Sequence, residues 1–390
     1  MIRDAETFEP FLDSLRRLVR ESLIPGEEQM VRDDAIPPSI VTAMRNMGLF
    51  GLSTPEEFGG LALTMEEEVL AMFELGLAAP AYRALYSINI GSGSQSILHA
   101  GTGAQKARYL ERISSGEIIT ALALTEPEAG SDPASLQTTA CRNGDAYVLD
   151  GVKCHVTNAP EAHLLLIYAR TGDSKRDISA FVVERGTAGW PAGMTIDPPD
   201  GKMGLTGMHS CTVRLENFRV PAESLLGGSE GGGLKLALAG IAKARLNVAA
   251  TCVGLGTRIL NEAVKYASER KQFGQAIAGF QLIQAMLADS STDLYAGRSM
   301  TLAAARRKDE GNDVSTDVAA AKYFASEALC RIADRAVQIY GGSGFIRGHA
   351  VERLYRDARL FRILDGTSQI QQLVIARNLL REEKQQRKIA

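Results

Sequence analysis

Apolar residues in this chain recur at helical spacing, switch to strand spacing near Glu117, and return to helical spacing beyond a glycine run at residues 227–233. A helix buries one stripe and a strand one face, so two changes of period imply three separately packed units. In the first unit Phe11, Leu12, Leu15 and Leu18 repeat at helix spacing, with Arg16, Arg17 and Arg20 on the other face. Residues 65–77 form another helix, whose three early acids (Glu66, Glu67, Glu68) suit the positive end of its dipole. Strands are expected at 118–124, 147–149, 163–169, 178–183 and 211–215, the second of them between the turn signals Asn143-Gly144 and Asp150-Gly151. Short strands without helices between them imply an antiparallel barrel or sandwich. The glycine run lacks the strand-then-helix setting of a dinucleotide fingerprint and reads as a flexible hinge. Helices follow at 234–269, 281–309, 315–340, 349–364 and on to the end, with Ala-rich faces suited to close packing. The expected class is therefore α+β multidomain: a helical domain at 1–117, a β domain at 118–228 and a helical bundle at 229–390.

A net charge of -3 provides no polycationic footprint for nucleic acid. The five cysteines are scattered without CxxC spacing, as expected of reduced thiols in a cytoplasmic protein. The five histidines show no paired ligand spacing, so no metal site is expected. The first residues lack a basic-then-apolar signal profile, and no apolar run is expected to span a membrane.

One stretch carries chemistry. An apolar run ends at Leu364, and Asp365-Gly366 breaks it, because glycine tolerates the backbone angles of a sharp turn. Ser368 with Gln371 reads as a capping box that opens a last helix through Leu373, Val374, Ala376, Leu379 and Leu380. A carboxylate at a turn beside a helix N-terminus suits a general base facing an acyl group or cofactor. An ordinary Asp-Gly turn is the other reading.

Further motifs stand in order around it: Thr125-Glu126-Pro127-Glu128-Ala129-Gly130-Ser131-Asp132, Lys153-Cys154-His155-Val156-Thr157-Asn158, Arg270-Lys271-Gln272-Phe273-Gly274, Gln338-Ile339-Tyr340-Gly341-Gly342 and Asp365-Gly366-Thr367-Ser368-Gln369. Together, spread over nearly the whole chain, they resemble the acyl-CoA dehydrogenases. The resemblance implies FAD, a C-terminal four-helix bundle, and a homotetramer whose flavin sites span subunits. It implies that Leu122, Leu124, Thr125, Ser131, His155 and Thr157 surround the flavin, with Thr367 and Gln369 completing the pocket. Arg270, Gln272, Phe273, Gln281, Gln338 and Gly342 of a neighbouring subunit are implied to hold the pyrophosphate and adenine end. Arg245, Leu364, Gly366 and Ser131 fall at the thioester, and Arg83 and Tyr86 at the acyl tail, where they could read a polar or acidic group. Asp365 is implied to remove the α-proton while flavin N5 accepts the β-hydride, with an electron-transfer flavoprotein as acceptor.

Three departures qualify the resemblance. The family's base is usually Glu, and Asp is about 1.5 Å shorter; Ala244 stands where some relatives carry a substitute base. His155 replaces a frequent Trp, and Ala242 replaces an acid that contacts the pantetheine arm, which admits a carrier-protein thioester as well as CoA. Two rivals stay open: the same fold running an oxidase or non-redox lyase reaction, and a non-catalytic acyl-binding flavoprotein.

Overall fold

In the computed structural model, which describes residues 2–174 and 177–389, Asp4 opens the first helix by accepting from the Glu6 amide. Met1 and Ala390, the ends of the two expected helical units, lie outside the described residues. Seven helices make the first unit: α1 (Ala5–Leu18), α2 (Glu27–Asp33), α3 (Pro38–Asn46), α4 (Met65–Leu75), α5 (Pro80–Ile88), α6 (Ser94–Ala100) and α7 (Gly103–Ser114). Thr64 with Glu67, and Thr102 with Gln105, form complete capping boxes that start α4 and α7.

The middle unit is a seven-stranded sheet of β1 (Thr120–Ala123), β2 (Thr139–Asn143), β3 (Ala146–Thr157), β4 (Leu164–Arg170), β5 (Ile178–Glu184), β6 (Met194–Ile196) and β7 (Ser210–Pro221). Its order is β1-β4-β2-β3-β7-β6, with β5 also paired to β4. Most ladders are antiparallel as expected, but β1 runs parallel to β4. The β2–β3 hairpin intervenes between them, so the chain re-enters beside β1 in the same direction. β2 escaped sequence reading because only Ala140 of its five residues is buried, leaving no apolar run.

The last unit holds α8 (Gly233–Glu269), a hairpin of β8 (Lys271–Gln272) and β9 (Gln275–Ala276), then α9 (Gln281–Asp309), α10 (Ser315–Tyr340), α11 (Gly342–Phe345), α12 (Ala350–Ala358) and α13 (Ser368–Ile389). α10 packs against α8, α9 and α13. The helix expected over 349–364 stops at Ala358 and tightens into a 3-10 turn, Arg359–Arg362. One composition-based expectation needs correcting. Among the described residues α8 is long and apolar enough to cross a membrane, yet 56% of its most apolar window is buried inside the protein.

The glycine run is laid against the sheet. Tyr147 donates to Glu230 Oε1 at 2.6 Å, the Gly231 amide donates to Ser179 Oγ at 2.8 Å, and a Cβ on Gly233 would stand 2.8 Å from the Ile178 carbonyl oxygen. Elsewhere two glycines lock the first unit to the bundle. A Cβ on Gly254 of α8 would lie 2.5 Å from the Phe73 carbonyl oxygen and 2.7 Å from the Gly76 Cα, just past α4. Gly254→Ala should therefore destabilise the protein by about 1–3 kcal/mol through overpacking, read by urea unfolding.

Candidate active site

The turn after the 3-10 segment is held by donors from three helices, α8, α10 and α13. Asp365 adopts a left-handed backbone (φ 51°) and Gly366 follows at φ 94°. Arg245 of α8 donates from Nε to the Asp365 carbonyl at 2.9 Å, and Lys322 of α10 donates from Nζ to the Gly366 carbonyl at 2.8 Å. Gln371 of α13 donates to the same two carbonyls at 3.4 and 2.9 Å. A Cβ on Gly366 would sit 2.7 Å from the movable end of Gln371, Nε2, so it is the backbone angle that calls for glycine here. The cap of α13 is Thr367, whose Oγ1 accepts from the Ile370 amide at 3.2 Å; the expected cap, Ser368, instead donates to Glu327 Oε1 at 2.6 Å. Glu327 also takes Arg362. Leu364 packs against the core, and Gln369 is exposed beyond the turn.

A second part forms where β1 ends against β3. One extra residue in β3 between Lys153 and Val156 makes a bulge, with His155 left-handed at φ 55° and exposed. His155 Nδ1 lies 3.6 Å from Asp200 Oδ2. The bulge clamps the end of β1: the Cys154 amide donates to the Thr125 carbonyl at 2.9 Å and Lys153 Nζ to the Leu124 carbonyl at 3.3 Å. Lys153 is fully buried and paired with Glu126 Oε1 at 2.7 Å. Leu124 is buried, Leu122 half-buried, and Thr125, Thr157 and Ser131 reach solvent. Among the described residues none of those three hydroxyls has a hydrogen-bond partner within the chain.

Asn158, next after Thr157, donates to the Ala84 and Leu85 carbonyls at 2.9 and 3.3 Å and so ties α5 to the end of β3. Arg83 of α5 is half-buried, and its Nε is enclosed without a hydrogen-bond partner. Burial pushes the Cys252 thiol up, while the charges of Lys322 and Arg83 act on it in the opposite sense. Tyr86 is otherwise placed than expected. It lies in the core, edge-on to Phe50 at 6.4 Å, with its hydroxyl 3.7 Å from Met72 Sδ.

A third group gathers at the far end of the bundle. Arg270, Gln272, Gln281 and Gln338 are exposed, and Phe273 (φ 51°) is 93% exposed at the tip of the β8–β9 hairpin. Tyr266 stacks on Tyr340 at 3.9 Å and holds the Gly341-Gly342 turn beside this hairpin end. Arg270 caps the C-terminal end of α8, about 37 Å along the helix from Arg245 at a rise of ~1.5 Å per residue. The structure does not bring this group to the Asp365 turn of the same chain.

The N-terminal, middle and C-terminal domain models of acyl-CoA dehydrogenase match residues 5–117, 121–218 and 231–380. A probable acyl-CoA dehydrogenase of Bacillus subtilis (YngJ) is 39% identical over 372 residues, 95% of this chain and 97% of the relative. The chain belongs to the acyl-CoA dehydrogenase family. Butyryl-CoA dehydrogenase from Megasphaera elsdenii superposes with a TM-score of 0.91 at 30% identity, covering 97% of this chain and 100% of that one. A glutaryl-coenzyme A dehydrogenase in complex with glutaryl-CoA also scores 0.91, at 31% identity and coverage of 97% and 96%. This member of the family is thus an oxidoreductase acting on a CH–CH bond, with FAD as its cofactor. The unpartnered hydroxyls of Thr125, Ser131 and Thr157 around the clamped end of β1 fit a planar, polar-edged flavin.

Sequence reasoning passed over Lys322 and Glu327, and quoted Lys153 and Asn158 within a motif without giving either a role. Lys322 had a signal: it is the only charged residue between Asp317 and Glu327 and shares a helical stripe with Val318, Ala325 and Leu329. The buried pair at β1 also sets a pH dependence. Burial alone would raise the Glu126 carboxyl, but Lys153 and the Gln137 amide outweigh it and hold it below its ordinary 4.5. A depressed folded value gives stability that is full above the ordinary one and is lost as pH falls through the depressed one. Lys153→Met strands Glu126, so we expect a loss of about 3–5 kcal/mol at neutral pH and a flatter acid limb in chemical unfolding.

Proposed function

We propose that this enzyme carries out α,β-dehydrogenation of an acyl thioester, on CoA or a carrier protein, with Asp365 removing the α-proton. The observation that carries the reading is the turn itself. A carboxylate is held in a left-handed backbone by donors from three helices, and Asp365 is half-buried at the mouth they form. Backbone placement of this kind compensates for a side chain one methylene short, since a misplacement of about 1 Å can cost on the order of a hundredfold in rate. The Asp365 amide makes no hydrogen bond within the chain among the described residues, which leaves it free to donate to a thioester carbonyl as enolate charge develops. Bound FAD supplies the acceptor for the β-hydrogen and its electron pair. Leu122 and Leu124 contribute an apolar wall to that site, and Thr125, Ser131 and Thr157 contribute donors; Thr367 and Gln369 border it from the turn.

The acyl tail in this reading ends in a carboxylate. Arg83 is a half-buried guanidinium with an enclosed, unpartnered Nε, and such a group is stable when a planar anion completes it. The working unit is a homo-oligomer, taken here as a tetramer. An extended FAD does not span the length of α8, so Arg270, Gln272, Phe273, Gln281, Gln338 and Gly342 serve a flavin held by a second copy. The 93% exposed Phe273 and the 85% exposed Phe345 support an interface at that end. The reading takes an electron-transfer flavoprotein as the acceptor of the reduced enzyme. It takes a reducing, cytoplasmic compartment as the setting, in keeping with five free thiols.

The test is anaerobic. Purified wild type, Asp365→Asn and Arg83→Met are mixed with glutaryl-CoA or butyryl-CoA while flavin bleaching is followed. Wild type should bleach, with glutaryl-CoA the tighter ligand. Asp365→Asn should bleach at least ~100-fold more slowly with its FAD content unchanged. Arg83→Met should lose the preference for glutaryl-CoA. A wild type that stays oxidised with both would refute the proposal.

A further inference from the structure

Two lysines among the described residues are wholly enclosed, and they are treated differently. Lys153 meets the Glu126 carboxylate at 2.7 Å. Lys322, 0% exposed, has one hydrogen bond, 2.8 Å to the Gly366 carbonyl, and no ion pair. A carbonyl dipole offsets only part of the cost of burying an ammonium. The charged groups that bear on Lys322 are Asp365, Arg245 and Glu327, the Cys252 thiol being kept neutral by burial. Glu327 is already engaged by Arg362 and Ser368, and Arg245 by the Asp365 carbonyl. The remaining acid is Asp365. Lys322 therefore has no carboxylate paired with it and meets the Asp365 turn from the side of α10 through the Gly366 carbonyl alone.

The backbone shows why a donor is needed there. Asp365 at φ 51° is a strained choice for a residue with a Cβ, and Gly366 at φ 94° is a pivot. Arg245 holds the carbonyl before the pivot. Lys322 and Gln371 hold the one after it. With both carbonyls tethered, neither peptide plane can rotate without breaking a hydrogen bond to a charged group.

We propose that Lys322 is a positioning residue for proton abstraction: through the Gly366 carbonyl it fixes the turn that aims the Asp365 carboxylate, and its charge favours the anion forming on the thioester carbonyl. The proposal rests on Asp365 being the base. In the step, the proton passes from the α-carbon to the Asp365 carboxylate and the C–H electron pair moves toward the thioester carbonyl. Bound FAD would accept the β-hydrogen with its electron pair as the double bond forms. Lys322 exchanges no proton and touches no reacting atom.

The experiment compares FAD-loaded wild type, Lys322→Met, Lys322→Gln and Asp365→Asn in anaerobic stopped flow with glutaryl-CoA protonated or deuterated at the α-carbon. For Lys322→Met we expect the limiting bleaching rate to fall about 10- to 100-fold, the half-saturating glutaryl-CoA concentration to stay within about twofold, and the α-deuterium isotope effect to grow. Lys322→Gln, which keeps a neutral donor, should fall between that and wild type. A purely structural lysine would instead lower FAD content, affinity and rate together. That pattern, or failure of both Lys322 variants to fold and load flavin, overturns the proposal, as does an unchanged rate and isotope effect. If Asp365→Asn bleaches normally, the base assignment is what has failed. If Asp365→Asn is dead and Lys322→Met is normal, only the positioning role has failed.

Discussion

The carbonyls of Asp365 and Gly366 are held by side chains from three different helices, and this small set of hydrogen bonds is where the bundle becomes a site. Arg245 reaches from α8, Lys322 from α10 and Gln371 from α13. Hydrogen bonds from charged donors are about twice as strong as neutral ones, and here they act on a backbone segment that on its own would prefer another shape. The packing of α10 against α8 and α13 thus has a chemical consequence: if the helices shift, the carboxylate moves with the turn.

The same logic operates at the other wall. β1 stops at a defined place because the β3 bulge takes the Leu124 and Thr125 carbonyls, and the bulge can do so because Lys153 is buried against Glu126. Asn158 then carries the position of β3 over to α5 and Arg83. Three units from distant parts of the sequence are registered on one another by buried polar groups, whereas apolar packing supplies the bulk of each unit. Buried polar contacts of this kind cost desolvation but specify geometry.

Much of the architecture was legible in the sequence, because period-3.6 and period-2 patterns report directly which face is buried. The parallel pairing of β1 with β4 was not, since strand direction depends on the path of the intervening hairpin and leaves no local mark. The Asp365 turn was visible from Asp-Gly after an apolar run, but its cap was misread: Ser368 and Thr367 are both competent caps, and only the presence of Glu327 on α10 decides between them. Tyr86 was placed at the acyl tail by its position in α5, yet the ring faces Phe50 and Met72. Lys322 could have been found, as a lone charge on an otherwise apolar helical stripe is itself a statement that something waits at that point in the core.

The central claim is that this turn aims a base at an α-carbon, and it can be tested apart from redox chemistry. The measurement is mass spectrometry of deuterium uptake at the α-carbon of an acyl-CoA whose β-carbon is replaced by sulfur, incubated with FAD-loaded enzyme in D2O so that no hydride can leave. The account predicts exchange by wild type and its loss in Asp365→Asn at equal flavin loading. Exchange that persists in the variant, or a wild type that exchanges nothing while binding the ligand, would contradict it.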